Sequence, residues 1–101
     1  MIVEVADFRT DPDEHDVFGK ALAHAADMVL SKAKGYRSHA VLSCIETPGR
    51  HVLTVHWDDV KSHMVGFRES EDFAAWRAII GPYFIAPPQV EHFNVVVTVP
   101  V

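Results

Sequence analysis

YRSHAVLSCIETPGRHVLTVHW, residues Tyr36 to Trp57, sets two apolar runs on either side of Thr47-Pro48-Gly49-Arg50. Tyr36 to Glu46 and His51 to Trp57 carry apolar and β-branched residues at strand spacing, and Pro-Gly is a strong turn signal, so the stretch predicts a hairpin. Two antiparallel strands in mid-chain leave the fold to be completed from both sides.

Upstream, Ile2 to Phe8 reads as a first strand with Val3 and Val5 alternating against Glu4, before Arg9 and Thr10 lead into a turn. A helix follows: Asp11 can cap it, Pro12 suits its first position, and Glu14 supplies the returning carboxylate of a capping box. Val17, Phe18, Ala21, Leu22, Ala25, Met28 and Val29 form its apolar stripe. Lys32, Lys34 and Gly35 supply a positive last turn and a left-handed stop.

Downstream of the hairpin, Asp58 and Asp59 can cap a short helix bearing Val60, Met64 and Phe67. Ser70 can cap another bearing Phe73, Trp76, Ile79 and Ile80, which Gly81-Pro82 ends. A loop with Pro87 and Pro88 leads to a last strand, Val90 to Val99, that Pro100 cannot continue. The order is β-α-β-β-α-α-β: an α+β, ferredoxin-like chain with a four-stranded antiparallel sheet and a second helix broken in two.

Helices cover only one face of such a sheet, yet the strands are apolar in both phases. Val41 and Ile45 stand against Leu42 and Cys44, and Val95, Val97 and Val99 against Val96. A solvated face would alternate with polar groups. The pattern therefore predicts a homodimer packed sheet to sheet, a dimeric α+β barrel.

The 101 residues suit one domain, 1–101, and 49% hydrophobic residues is a generous supply for a lone small globule. A formal charge of -5 with scattered Lys and Arg argues against nucleic acid. The single cysteine, Cys44, cannot form an internal disulfide and reads as a small buried strand residue. With no leader-like N-terminus and no long apolar run, the chain is expected to be cytoplasmic and off the membrane.

Seven histidines invite a metal reading, but none are paired at the i, i+4 spacing of a helical site and H-E-x-x-H is absent, so no metal is expected. Cys44 has no helix N-terminus beside it to make a nucleophile, and there is no Gly-rich phosphate cradle. His63 shares a helical face with Val60 and Phe67 and can pass protons near neutral pH. Arg77 follows Trp76 at the margin of the core stripe and stays charged. Trp57 shares a strand face with Leu53 and Val55, opposite Val52, Thr54 and His56. His92 and Asn94 share a face of the last strand, as a pocket pair or a tie across the dimer.

His56-Trp57-Asp58-Asp59, Phe67-Arg68-Glu69-Ser70-Glu71-Asp72-Phe73, Ala75-Trp76-Arg77, Pro87-Pro88 and His92-Phe93, in this strand order, resemble the antibiotic biosynthesis monooxygenase family. The resemblance covers nearly the whole chain. It implies a dimeric α+β barrel with a pocket between sheet and helices in each protomer. The subgroup that the spacing resembles most turns aromatic anthrones or phenols into quinones with neither metal nor flavin. It therefore implies a cofactor-independent monooxygenase with an aromatic small-molecule substrate. Trp57 matches that subgroup's pocket Trp and Arg77 its Arg, while His63 stands where it carries a Tyr proton donor. Phe67, Trp76, His92 and Asn94 are the expected substrate contacts. A haem-degrading subgroup uses Asn, Trp and His, where this chain has Asp7 or Phe8, Phe67 and Arg77, so an axial nitrogen ligand is missing. The alternatives are a non-catalytic binding or dimerisation domain, or an isomerase, lyase or cyclase of the same superfamily.

A cofactorless oxygenase makes its substrate the reductant of dioxygen, so the site must favour the substrate anion. Each pKa unit of acidification requires ~1.4 kcal/mol of preferential anion binding, which a fixed cation in an apolar pocket can supply.

Overall fold

The computed structural model describes residues 1–100. Strand β1 (Ile2–Arg9) is followed by helix α1 (His15–Met28), the hairpin β2 (Tyr36–Ser43) and β3 (Arg50–Trp57), a wide turn of π-helix (Ser62–Phe67), helix α2 (Glu71–Ile80) and β4 (Gln89–Asn94). The sheet is antiparallel in the order β2-β3-β1-β4, so the α+β, ferredoxin-like expectation holds.

The hairpin turns where Pro-Gly predicted. Gly49 has φ +88, and a Cβ there would meet the Thr10 carbonyl oxygen at 2.4 Å, so its lack of a side chain serves both the turn and the approach of β1. Thr10 in turn donates its amide to the Gly49 carbonyl at 2.8 Å. Asp11 accepts from the Asp13 amide at 2.8 Å and Pro12 opens a 3-10 turn ahead of α1.

Several expectations need correction. Glu14 makes no capping bond, and α1 stops at Met28, with a 3-10 turn over Leu30–Lys32 before Gly35 takes its left-handed φ of +87. Phe18, Leu22, Ala25 and Ala26 form the buried stripe, while Val17 and Met28 are about half exposed. Ser70 stands at the start of α2 but turns its hydroxyl to the Phe67 carbonyl at 2.6 Å instead of capping. Strand β2 ends at Ser43, so Cys44 lies half-buried beyond it. Strand β4 ends at Asn94, opposite Ile2. Val95 to Pro100 continues past the sheet without strand pairing.

Strand β1 alternates as expected, with its carboxylate on the covered side. Glu4, Ala6 and Phe8 point under the helices and are buried, whereas Val3 and Val5 face the uncovered side with Thr54 and His56 of β3. The core joins Phe18 and Leu22 of α1 and Trp76 and Ile80 of α2 to Ala6, Phe8, Leu53, Val55 and Trp57 of the sheet. No helix among the described residues is long and apolar enough to cross a membrane.

Candidate active site

Between sheet and helices lies a cavity of about 280 Å³, near the small end of ligand pockets. Phe8, Leu53, Phe67, Trp76, Ile80 and Phe84 make it apolar, and four polar groups open onto it: Glu4, His63, Arg68 and Arg77. Glu4 and His63 are buried, and the two arginines lie at the exposed end.

Glu4 owes its place to sheet register. It sits in mid-β1 between Val55 on β3 and His92 on β4. Trp57, two residues beyond Val55 on the same face, donates its indole N–H to Glu4 Oε1 at 2.9 Å. His63 Nε2 approaches the same oxygen at 3.3 Å, and His63 Nδ1 lies 2.8 Å from His92 Nε2. The Trp57 and His63 rings stack at 5.2 Å and 22°.

His63 owes its place to the π-turn. Asp59 Oδ1 accepts from the Ser62 amide at 2.7 Å and its hydroxyl at 2.8 Å, and the Arg68 amide reaches back five residues to the His63 carbonyl at 2.9 Å. Such widened turns recur at functional sites.

Burial pushes the Glu4 carboxyl up to about 7, against the opposing pull of the Trp57 donor and the Arg68 charge. Burial first, then the His92 and Arg68 charges, lower His63 to about 4. His63 is therefore neutral near pH 7, and its 3.3 Å approach to Glu4 is a close contact rather than an ion pair. A neutral imidazole carries one N–H. With His92 donating to His63 Nδ1, the one His63 ring proton lies on Nε2, the nitrogen that faces Glu4 at 3.3 Å. Trp57 alone donates to Oε1; among the described residues no hydrogen bond reaches Oε2, which remains for a ligand.

Of the residues expected in the site, His63, Arg77, Phe67 and Trp76 line the cavity. Trp57, fully buried, lies behind its wall and orients Glu4. His92 touches His63 from outside, and Asn94 is exposed opposite Ile2 and forms no part of the lining. Sequence reading missed Glu4 and Arg68. Strand parity gave no signal, since Glu4 shares its phase with Ala6 and Phe8 while Val3 and Val5 make the other phase apolar too. No group of three or more His, Cys, Asp or Glu among the described residues is arranged to hold a metal ion.

The family model for antibiotic biosynthesis monooxygenases matches residues 1–79, and the chain belongs to that family. It is 31% identical over 94 residues to YczJ, an uncharacterised protein of Bacillus subtilis (strain 168), covering 93% of this chain and 98% of that one. Among solved structures, a Bordetella bronchiseptica protein provisionally assigned to the same monooxygenases is similar at 38% identity and TM-score 0.87, over 95% of this chain and 97% of that one. SnoaB, a cofactor-independent oxygenase from Streptomyces nogalater whose structure is that of a point mutant, superimposes with TM-score 0.77 over 99% of this chain and 97% of its own. At 17% identity, that likeness is one of fold.

Proposed function

We propose that this chain is a cofactor-independent monooxygenase that oxidises a planar phenolic, anthrone- or quinol-type molecule with dioxygen, and that it works as a cytoplasmic homodimer. The observation that carries the reading is a buried carboxylate poised near pH 7 at the closed end of an apolar cavity of ligand size. General bases are most effective with a pKa near the working pH.

Glu4 Oε2 takes the proton of the substrate hydroxyl, or of the acidic ring CH2 in an anthrone. Arg77 and Arg68 hold the resulting anion in a field that favours it. The anion gives one electron to dioxygen, and the two radicals combine to form a carbon–oxygen bond. The peroxide anion then recovers a proton from Glu4, and His63 and His92 provide the route by which that proton is exchanged with solvent. Breaking the O–O bond while the same carbon loses its hydrogen gives the quinone and water. One dioxygen is consumed, one of its atoms entering the product and the other the water.

The homodimer is supported by the uncovered face, where Val3, Val5, Ala40, Leu42, Val52 and Phe93 stand on one side of the sheet. Leu42 and Phe93 are about half exposed, and Val95, Val96, Val97 and Val99 of the unpaired segment are exposed as well. A lone cysteine fits a reducing compartment. The same base would serve an isomerase or cyclase that enolises its substrate, a reading that differs in needing no oxygen.

An oxygen electrode separates these. With an anthrone, one dioxygen should disappear per quinone formed and no hydrogen peroxide accumulate, with no spectral response to a hemin titration. Conversion that proceeds equally well without oxygen would transfer the site to isomerase chemistry, and tight binding with no turnover would make it a binding module.

A further inference from the structure

The five arginines divide into two sets. Arg9 and Arg50 pair with Asp7, and Arg37 pairs with Asp58, so each of the three outside the cavity has a carboxylate partner. The two that line the cavity, Arg68 and Arg77, have none within 4.0 Å among the described residues, although Glu69, Glu71 and Asp72 are neighbours in sequence. In a chain with 14 acidic and 9 basic residues, unpaired guanidiniums confined to one cavity mouth call for an explanation.

Their positions supply one. The Arg68 guanidinium carbon lies 5.5 Å from the centre of the Phe73 ring and that of Arg77 5.6 Å from Phe84, and both rings belong to the cavity wall. Each guanidinium is laid against an aromatic wall, which restrains its plane and leaves N–H donors for a ligand. Among the described residues, the only side-chain bond of either is a weak one from Arg68 Nη1 to Met64 Sδ at 3.8 Å. Planar guanidinium donors match a carboxylate's two oxygens. The buried Glu4 opens onto the same cavity, with Oε2 free to accept a hydrogen bond.

We infer that the ligand of this cavity is a planar hydroxyaryl carboxylate, its hydroxyl on Glu4 and its carboxylate held at the mouth by Arg68 and Arg77. This rests on the reading that the cavity is a small-molecule site, and it is independent of any oxygen chemistry. The ring system lies against Phe67, Trp76 and Ile80 of the same cavity wall. The carboxylates at Glu69, Glu71 and Asp72 reduce the local surplus of positive charge and favour a single negative charge over a phosphate dianion.

The test is equilibrium binding without oxygen at pH 8, where Glu4 is ionised, using 6-hydroxy-2-naphthoate, 2-naphthol, 2-naphthoate and 2-naphthyl phosphate. The hydroxy acid should bind at least tenfold more tightly than either singly substituted compound and more tightly than the phosphate. Replacing both arginines, Arg68→Gln with Arg77→Gln, should erase its advantage over 2-naphthol. Both side chains are exposed, so the fold should tolerate the change. Equal affinity for 2-naphthol and the hydroxy acid, or an advantage that survives the double substitution, would overturn the carboxylate assignment and leave the phenolic site standing. Tighter binding of the phosphate would overturn it in favour of a dianion. Failure of all four probes to bind would remove the small-molecule reading itself.

Discussion

The sheet carries two histidine clusters under its helices, and they differ in what their ring nitrogens meet. At one end, His63 and His92 lead to Glu4, a carboxylate that opens onto the cavity. At the other, His15 and His51 stack at 4.3 Å beside Phe18. There the Gly49 amide donates to His15 Nδ1 at 2.7 Å, so the remaining ring proton is on Nε2 and is given to Ser43 Oγ, also at 2.7 Å. An imidazole that donates to a serine cannot take its proton, so the Ser43–His15 contact is a clamp on the hairpin turn rather than a nucleophile with its base. His51 is buried, with Nδ1 lacking a hydrogen-bond partner, and burial, then the neighbouring His15, holds its pKa below the ordinary value. Similar rings at similar depth thus differ in function through what occupies their second nitrogen.

Substitutions at the two ends should diverge accordingly. Glu4→Gln should lower turnover by about 100-fold or more, within the range for loss of a general base, measured as quinone formation at saturating substrate. A fall of less than threefold would take Glu4 out of the chemistry. Arg77→Ala should lower kcat/KM by a factor of about ten or more, equivalent to ~1.4 kcal/mol, while gel filtration still shows the assembly state of the parent. His92→Gln should slow turnover by roughly tenfold and change its pH profile, because the relay loses its outer member. His15→Ala, at the other end, should leave turnover within about twofold and cost about 1 kcal/mol of stability in urea unfolding, since the Gly49 amide loses its acceptor.

A quieter signature is thermodynamic. Folded, Glu4 keeps its proton up to about pH 7; unfolded, it releases it near the ordinary value of 4.5. The native state therefore binds the extra proton between those values, and stability from this group falls as pH rises through that window. Glu4→Gln should be more stable than the parent by an amount that grows from pH 4.5 to 7 and then levels, reaching roughly 3 kcal/mol at ~1.4 per pKa unit. His63 runs the opposite way: its folded value near 4 means stability gained as pH rises toward 6.5. In the parent the two slopes offset one another between 4.5 and 6.5, and in Glu4→Gln the rising one is left visible. A difference in stability that does not change across pH 4.5 to 7 would contradict the buried, protonated carboxyl.

The topology was legible because it rests on punctuation. Pro48-Gly49, Asp11-Pro12 and Gly81-Pro82 mark element boundaries by local backbone chemistry that needs no knowledge of the rest of the chain. The ends of β4 and α1 were not legible, since Val95–Val99 has strand composition and lacks only a partner. The site was read in part. His63 and Phe67 are one turn apart and Trp76 lies on the apolar stripe of α2 with Arg77 at its margin, so helical spacing put them near the cavity. Glu4 was hidden by strand periodicity: Val3 and Val5 are apolar, Ala6 and Phe8 are apolar, and a strand with both phases apolar does not say which side the lone carboxylate takes. Trp57 was found for its bulk, but its part is to aim the acid rather than wall the cavity.

The wide turn at Ser62–Phe67 has a consequence for comparing relatives. A widened turn accommodates one residue more than an α-helical one, and that extra step sets the angle at which His63 meets Glu4. A cousin one residue shorter here would rotate a different side chain toward the acid while keeping every strand and the rest of the cavity. Chemistry in such a lineage can change by insertion without any substitution at an aligned position, so counting shared residues would miss the event.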